Sequence, residues 1–465
     1  MHRLLHSERS EFLAVTGRRR VGKTFLIDAM LREHYCFSLT GIQNGSLKTQ
    51  LVNFAVKLAE YNGTQTPVVA ENWQIAFLHL KNYLKTLDKN KKNVIFIDEL
   101  PWVATAKSGF VQFLAHFWND YLAKEPHFML VICGSATSWI TQKIINDTGG
   151  LHNRITENIH LRPFTIAETV AFLQYKNLQF TPQEAVKIYM ALGGIPFYLE
   201  NIRKGESFAA VIERLCFALT GALYNEYDNL FKALFNNAEM HQQIVAVLAA
   251  QPSGLSHSEI LAKMNQKQSS GSYQRAIDEL LVSDFVTEIT PFGKRKRGVL
   301  YKLTDEYTIF YHRFIKTNKK YTQGVWQQLA ESQAYKTWSG LAFENFCYKH
   351  IDAIKQTLGI SSVFTEIYNL SILANESAEG VQIDLLIDRK DACINLCEIK
   401  FYNAPFTISK TYYETLLAKR ALFIAHTKTK KQVFITFISN HGLVENAYAK
   451  EAVDIELKLS DLLNL

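Results

Sequence analysis

The stretch Gly17-Arg18-Arg19-Arg20-Val21-Gly22-Lys23-Thr24 constrains the fold of this chain more than any other. It satisfies G-x-x-x-x-G-K-[ST] and lies between an apolar run, FLAV, and a helix-like stretch, TFLIDAMLREHY, the context such a loop needs to hold phosphate. Glycines let successive backbone N–H groups turn inward, and the N-terminus of the following helix favours negative charge. Lys23 is expected to reach the β- and γ-phosphates of ATP and Thr24 to ligate Mg²⁺. Gly17, Arg18, Arg19, Arg20, Val21, Gly22 and Phe25 are expected to complete the nucleotide-binding loop.

From residue 11 to about 165, apolar runs alternate with helical patterns: FLAVTG, TFLIDAMLREHY, KNVIFIDE, HFMLVICGS and ENIHLRPFT. That alternation predicts an α/β fold, a parallel sheet with flanking helices. KNVIFIDEL ends in Asp98-Glu99 and fits a Walker-B strand, with Asp98 orienting the Mg²⁺ shell and Glu99 polarising the attacking water. FMLVICGSAT ends near Ser135, a polar side chain placed to sense the γ-phosphate. Arg154 follows in GGLHNRITENIHL, where a guanidinium stabilises transition-state charge in its own or a neighbouring subunit of a homo-oligomer.

Beyond this core the expected organisation is 1–165 ATPase core, 166–238 helical lid broken at Gly193-Gly194-Ile195-Pro196, 239–320 winged helix, 321–337 connector and 338–465 a second α/β domain. The winged-helix reading rests on HQQIVAVLAA, SHSEILAKM and SYQRAIDELLVSDF followed by two strand-like runs around GKRKRG. DNA contacts are expected from Ser272, Tyr273, Gln274 and Arg275 at the start of the recognition helix. Lys294, Arg295, Lys296 and Arg297 are expected at the wing tip. HTKTKK at 426–431 is a second basic run, expected in a turn.

The last domain reads as helix (GLAFENFCYKHIDAIKQTL), strands (VQIDLLIDR and CINLCEIKF), helix (KTYYETLLAK) and the strand ALFIAH. Asp384 lies on one strand, and Glu398 and Lys400, two apart on the next, project from one face. Carboxylates of this kind bind Mg²⁺ or Mn²⁺, with the lysine positioning water for phosphodiester attack, and Glu344 is a further candidate metal ligand. Asp384, Glu398 and Lys400 are therefore candidate catalytic residues, alongside Lys23, Glu99 and Arg154.

No run approaches the roughly 18 apolar residues of a membrane span, and the N-terminus lacks a signal-peptide pattern, so the expected compartment is the cytoplasm and no membrane partner is expected. The six cysteines form no C-x-x-C pair and read as reduced core residues, Cys393 and Cys397 on one strand face included. A net charge of +7 proves no polyanion partner by itself; the placement of the basic runs says more.

SEFLAVTGRRRVGKTFLI, VIFIDELPW, VICGSATSWI, GGLHNRITENIHLRPFT and LGGIPFYLENI resemble, in order, the motifs of the archaeal-type ATPases, a prokaryotic branch of the AAA-like and STAND-like P-loop proteins. The resemblance implies Ser135 as sensor, Arg154 as finger or sensor arginine, and Gly193, Gly194 and Pro196 as the lid motif. It also implies a winged helix and a C-terminal nuclease-like domain, and Asp with Glu-x-Lys is similar to the restriction-endonuclease-like signature. Family members usually carry an aromatic-Gly-Arg box ahead of the first strand that helps hold adenine; this chain starts too close to its loop to include it. The reading is an ATPase coupling nucleotide state to DNA binding and metal-dependent DNA cleavage. The alternative is a STAND-like signalling or scaffold ATPase whose inactive nuclease-like domain binds a protein.

Overall fold

Runs of consecutive apolar residues form strands buried on both faces, and the first unit is built from them. In the computed structural model, which describes residues 1–135, 137–146, 149–151, 153–235, 237–265, 271–293, 298–319, 324–372 and 381–463, β1 (Glu11–Thr16), β3 (Asn93–Asp98) and β4 (Phe128–Cys133) are buried along their whole length. Between β1 and β3 lies β2 (Tyr35–Thr40), and β5 (Glu157–His160) follows β4. All pairings are parallel, in the order β2-β3-β4-β1-β5. Phe12 and Ala14 face one core with Phe37, Trp73 and Leu130, while Leu13 and Val15 face the other with Ile27, Val94 and Val131. Four of the five strands are the runs expected from sequence. The fifth, β2, is a half-buried edge strand that the helical stretch before it conceals.

Contacts divide the chain into two compact units, 1–162 with 233–236, and 163–232 with 237–465. The second opens with helices Ile166–Tyr175 and Pro182–Leu192, each started by a capping box, Thr165 with Glu168 and Thr181 with Glu184. The helical pattern breaks where the sequence placed the break. Gly193 has a left-handed φ of 68°, and at Gly194 a Cβ would sit 1.9 Å from the Phe164 carbonyl oxygen, so only glycine admits this approach.

Residues 238–303 form helices Ala238–Ala249, His257–Lys263 and Gly271–Val282, then an antiparallel pair, β6 (Val286–Ile289) and β7 (Leu300–Leu303). Tyr273 is fully buried against the His257 ring, on the same helix face as Ala276, Ile277 and Leu280. It is a core residue, which removes it from the DNA contacts expected from the sequence. Lys294, Arg295, Lys296 and Arg297 lie outside the described residues.

The C-terminal part carries helix Gln333–Lys349 and strands β8 (Thr365–Ile372), β9 (Val381–Arg389), β10 (Cys393–Lys400), β11 (Gln432–Ser439) and β12 (Ile455–Lys458), ordered β12-β11-β10-β9-β8. β8, β9 and β10 form an antiparallel meander, and β10, β11 and β12 run parallel. The expected strand ALFIAH is instead helical. Lys410–Thr427 is one helix, with no breaker until Lys428 adopts a left-handed φ of 53°, and it buries Leu416 and Phe423 seven residues apart. The strand after it is β11, which the sequence reading did not include. Cys397 is buried, whereas Cys393 at the strand's start is half-buried. The HTKTKK run begins in the last turn of that helix, and Lys431 pairs with Asp388 at 2.5 Å. No helix among the described residues is long and apolar enough to cross a membrane.

Candidate functional site

The glycine loop joins β1 to helix Lys23–Leu31. Gly17 has φ 138°, and a Cβ there would lie 2.2 Å from the Leu161 carbonyl oxygen; Arg20 and Gly22 are also left-handed, at 73° and 90°. Three such turns close together make the concave run of N–H groups that suits an anion. Gly17 N–H donates to Thr137 Oγ1 at 3.2 Å, a support the sequence reading did not name. Arg18 and Val21 are buried, Arg19 and Arg20 half-buried, and Phe25 is 79% exposed beside the loop.

Lys23 is buried, and its Nζ donates to the Arg18 carbonyl at 2.9 Å. Burial pulls its pKa below the usual lysine value, against the opposing pull of Glu99 and Asp98. Thr24 Oγ1 donates to Asp98 Oδ2 at 3.0 Å, and Glu99 N–H donates to Asp98 Oδ1 at 2.9 Å. A hydroxyl and a carboxylate meeting beside a phosphate loop fit the way Mg²⁺ is held, by few protein oxygens together with phosphate.

Because β4 lies between β1 and β3, its end brings Ser135 between the loop and Asp98-Glu99. There both its N–H and its Oγ donate to Glu99 Oε2 at 3.1 Å. Ser135 thus grips the carboxylate expected to polarise water. Burial raises the Glu99 pKa, with Ser135 and Lys23 opposing, and its backbone is left-handed at φ 47°. Backbone conformations of this cost are kept at sites where they aim a functional group. Arg154 is exposed and makes no ion pair among the described residues.

A second cluster lies in the other unit. Glu344 on helix Gln333–Lys349, Asp384 on β9, and Glu398 and Lys400 on β10 act on one another electrostatically. Asp384 and Glu398 are the chain neighbours of the paired Leu385 and Cys397. Lys400 Nζ lies 2.7 Å from Glu398 Oε1, Lys419 Nζ lies 2.7 Å from Glu398 Oε2, and Tyr412 Oη donates to the same carboxylate. Burial works against the ionised Glu398, but Lys400 and Lys419 outweigh it and hold its pKa below the usual range. Burial, reinforced by Asp384, pushes Glu344 up to about 7, against Lys302 and Lys400. Burial, then Glu398, also raises Asp384.

Lys302 on β7, Tyr412 and Lys419 were missed. Tyr412 and Lys419 are seven apart on one helix, a spacing that marks a shared face; nothing in sequence brings Lys302 to Glu344. Three carboxylates face three ammonium groups here. Among the described residues no three His, Cys, Asp or Glu side chains gather closely enough to hold a metal. As they stand, Glu344, Asp384 and Glu398 are not gathered that closely, and Glu398 is bonded by Lys400, Lys419 and Tyr412.

Of the expected DNA-contact residues in the described helix, Ser272, Gln274 and Arg275 are exposed. Gln274 bonds Asp278 at 3.0 Å.

The parallel five-stranded sheet, glycine loop and acidic strand end define a P-loop ATPase domain. Residues 1–202 match the family described as ATPase domain predominantly from Archaea. The uncharacterized protein MJECL04 of Methanocaldococcus jannaschii is 25% identical over 431 residues, covering 90% of this chain and 89% of its own. Among solved structures, the Walker-type ATPase PABY2304 of Pyrococcus abyssi aligns at 17% identity over 65% of this chain and 91% of its own, with a TM-score of 0.48. The ORC2 protein of Aeropyrum pernix aligns at 12% identity over 71% and 92%, with a TM-score of 0.40.

Proposed function

We propose that this protein binds and hydrolyses ATP with Mg²⁺ in its first unit and uses nucleotide state to control DNA binding by its second. The observation that carries the ATP reading is the meeting of Lys23, Thr24, Asp98, Glu99 and Ser135 at the mouth of the glycine loop. The loop N–H groups and Lys23 bind and orient the phosphates, Thr24 and Asp98 would hold Mg²⁺, and Glu99 positions the attacking water. Mg²⁺ would supply neutralisation of phosphate charge. Ser135 fixes the direction of Glu99, and Arg154 reaches the γ-phosphate in this subunit or a neighbour of a homo-oligomer. Phe25, exposed beside the loop, supports a contact with the nucleotide.

DNA binding rests on the arrangement of three helices and a two-stranded sheet, read as a winged helix, with Ser272, Gln274 and Arg275 on the open face of its last helix. The C-terminal sheet is read as restriction-endonuclease-like. The saturation of Glu398 by Lys400, Lys419 and Tyr412 favours the second reading for this part, a nuclease-like domain that does not cut and instead binds a protein partner.

Phosphate release and fluorescence anisotropy on labelled duplex test both halves. ATP hydrolysis that survives Glu99→Gln unchanged would sink the assigned chemistry. DNA affinity indifferent to ATP, to Glu99→Gln and to Arg275→Ala would sink the coupling. Plasmid cutting with Mg²⁺ or Mn²⁺ that disappears in Asp384→Ala would restore the nuclease over the partner-binding reading.

A further inference from the structure

Within the second unit a half-open cavity of about 540 Å³ lies among helix Ala238–Ala249, the segment 309–317 and helix Gln333–Lys349. That volume is in the range of small-molecule sites, which are mostly apolar with a few converging polar groups. Ile309, Ala249 and Trp338 contribute apolar wall, and the charged lining consists of Lys302, Arg313 and Lys316, with no carboxylate among the lining residues. Arg313 and Lys316 are exposed and make no ion pair among the described residues, whereas other cations of this unit do, Lys349 with Glu306 and Arg214 with Glu206 for example. A neutral or cationic occupant would leave these charges uncompensated over an apolar floor.

We propose that this cavity is a binding site for a small organic anion, an apolar body carrying a carboxylate, sulfonate or phosphate that Arg313, Lys316 and Lys302 receive. Apolar surface buried against Trp338 and Ile309 supplies affinity, and the guanidinium supplies a planar fork suited to a carboxylate or phosphate. Lys302 gives the site a consequence, since the charges of Glu344 and Asp384 also act on it. A bound anion competes with those carboxylates for Lys302, so occupancy alters the second charge cluster.

Titration of the full-length chain with 8-anilinonaphthalene-1-sulfonate, a fluorescent aromatic sulfonate, tests it. One saturable site is expected, weakened at least tenfold in Arg313→Glu/Lys316→Glu and lost in Ala249→Trp, which fills the floor. Both cations are exposed, so the double variant should melt as the parent does; Arg313→Ala/Lys316→Ala, expected to weaken binding less, repeats the test without reversed charge. Nile red, uncharged, should respond to Ala249→Trp alone. Sulfonate binding unchanged in all three variants overturns the site. Loss in Ala249→Trp with no loss on charge reversal overturns the anion. Charge reversal that lowers duplex affinity while leaving the sulfonate untouched assigns the cations to a polynucleotide and overturns the proposal as well.

Discussion

Lys23 in the first unit and Lys400 in the second are both lysines drawn out of water beside carboxylates, yet they are bonded in opposite ways. Lys23 donates to a backbone carbonyl, no carboxylate among the described residues hydrogen-bonds it, and burial lowers its pKa. Lys400 is held 2.7 Å from Glu398, whose charge outweighs burial and raises its pKa. A buried charge without a partner of opposite sign costs free energy that a ligand can recover; one already paired has little to gain. The first site is built to receive an anion, and the second is closed on itself.

The sharpest way to break this contrast is Lys23→Ala, which should lower kcat/KM for ATP by about 100- to 1000-fold, the loss seen when one charge-stabilising donor is removed. The melting temperature should stay close to that of the parent. A melt that falls as far as the activity would make Lys23 structural. Glu398→Gln should do the reverse, leaving Lys400 and Lys419 without their carboxylate and lowering stability by about 3 kcal/mol in denaturant unfolding, with ATP hydrolysis intact. A neutral outcome would mean the cluster is wet and open, which would reopen the metal reading. Tyr412→Phe removes one hydrogen bond to the same carboxylate and should cost about 1.5 kcal/mol.

The smallest effect is in pH. Glu344, with a folded pKa of about 7, lies above its unfolded value, so the native state binds the extra proton. Its contribution is complete at pH below about 4.3 and is lost as pH rises through about 7, so stability should fall across that window. Glu344→Gln should flatten that part of the stability curve, and a slope unchanged in the variant would assign the proton elsewhere.

Much of the first site was legible because its parts are local. Gly17 to Thr24 is one contiguous loop, and Asp98-Glu99 ends an uninterrupted apolar strand whose burial on both faces follows from composition alone. Ser135 was legible as the end of another such strand. Its grip on Glu99 was not, because that depends on β4 entering between β1 and β3. In the second unit, Glu398 and Lys400 share a face by period-2 spacing, and the helix break at Gly193-Gly194 carries its own signal. Tyr273 misled because a helix start reads the same whether its third residue points to solvent or inward. ALFIAH misled because six apolar and aromatic residues suit strand and helix alike until the helix around them is seen to continue.

The sequence by itself determined the phosphate loop, the acidic strand end and the alternation that produces a parallel sheet, since each depends on neighbours within a few residues. Only the tertiary structure decided which charges meet. Lys302 reaches the surroundings of Glu344 and Asp384, and Lys419 and Tyr412 close on Glu398, from elements separated along the chain. Electrostatic partnership depends on distance in space and on exclusion of water, and neither is written in local sequence.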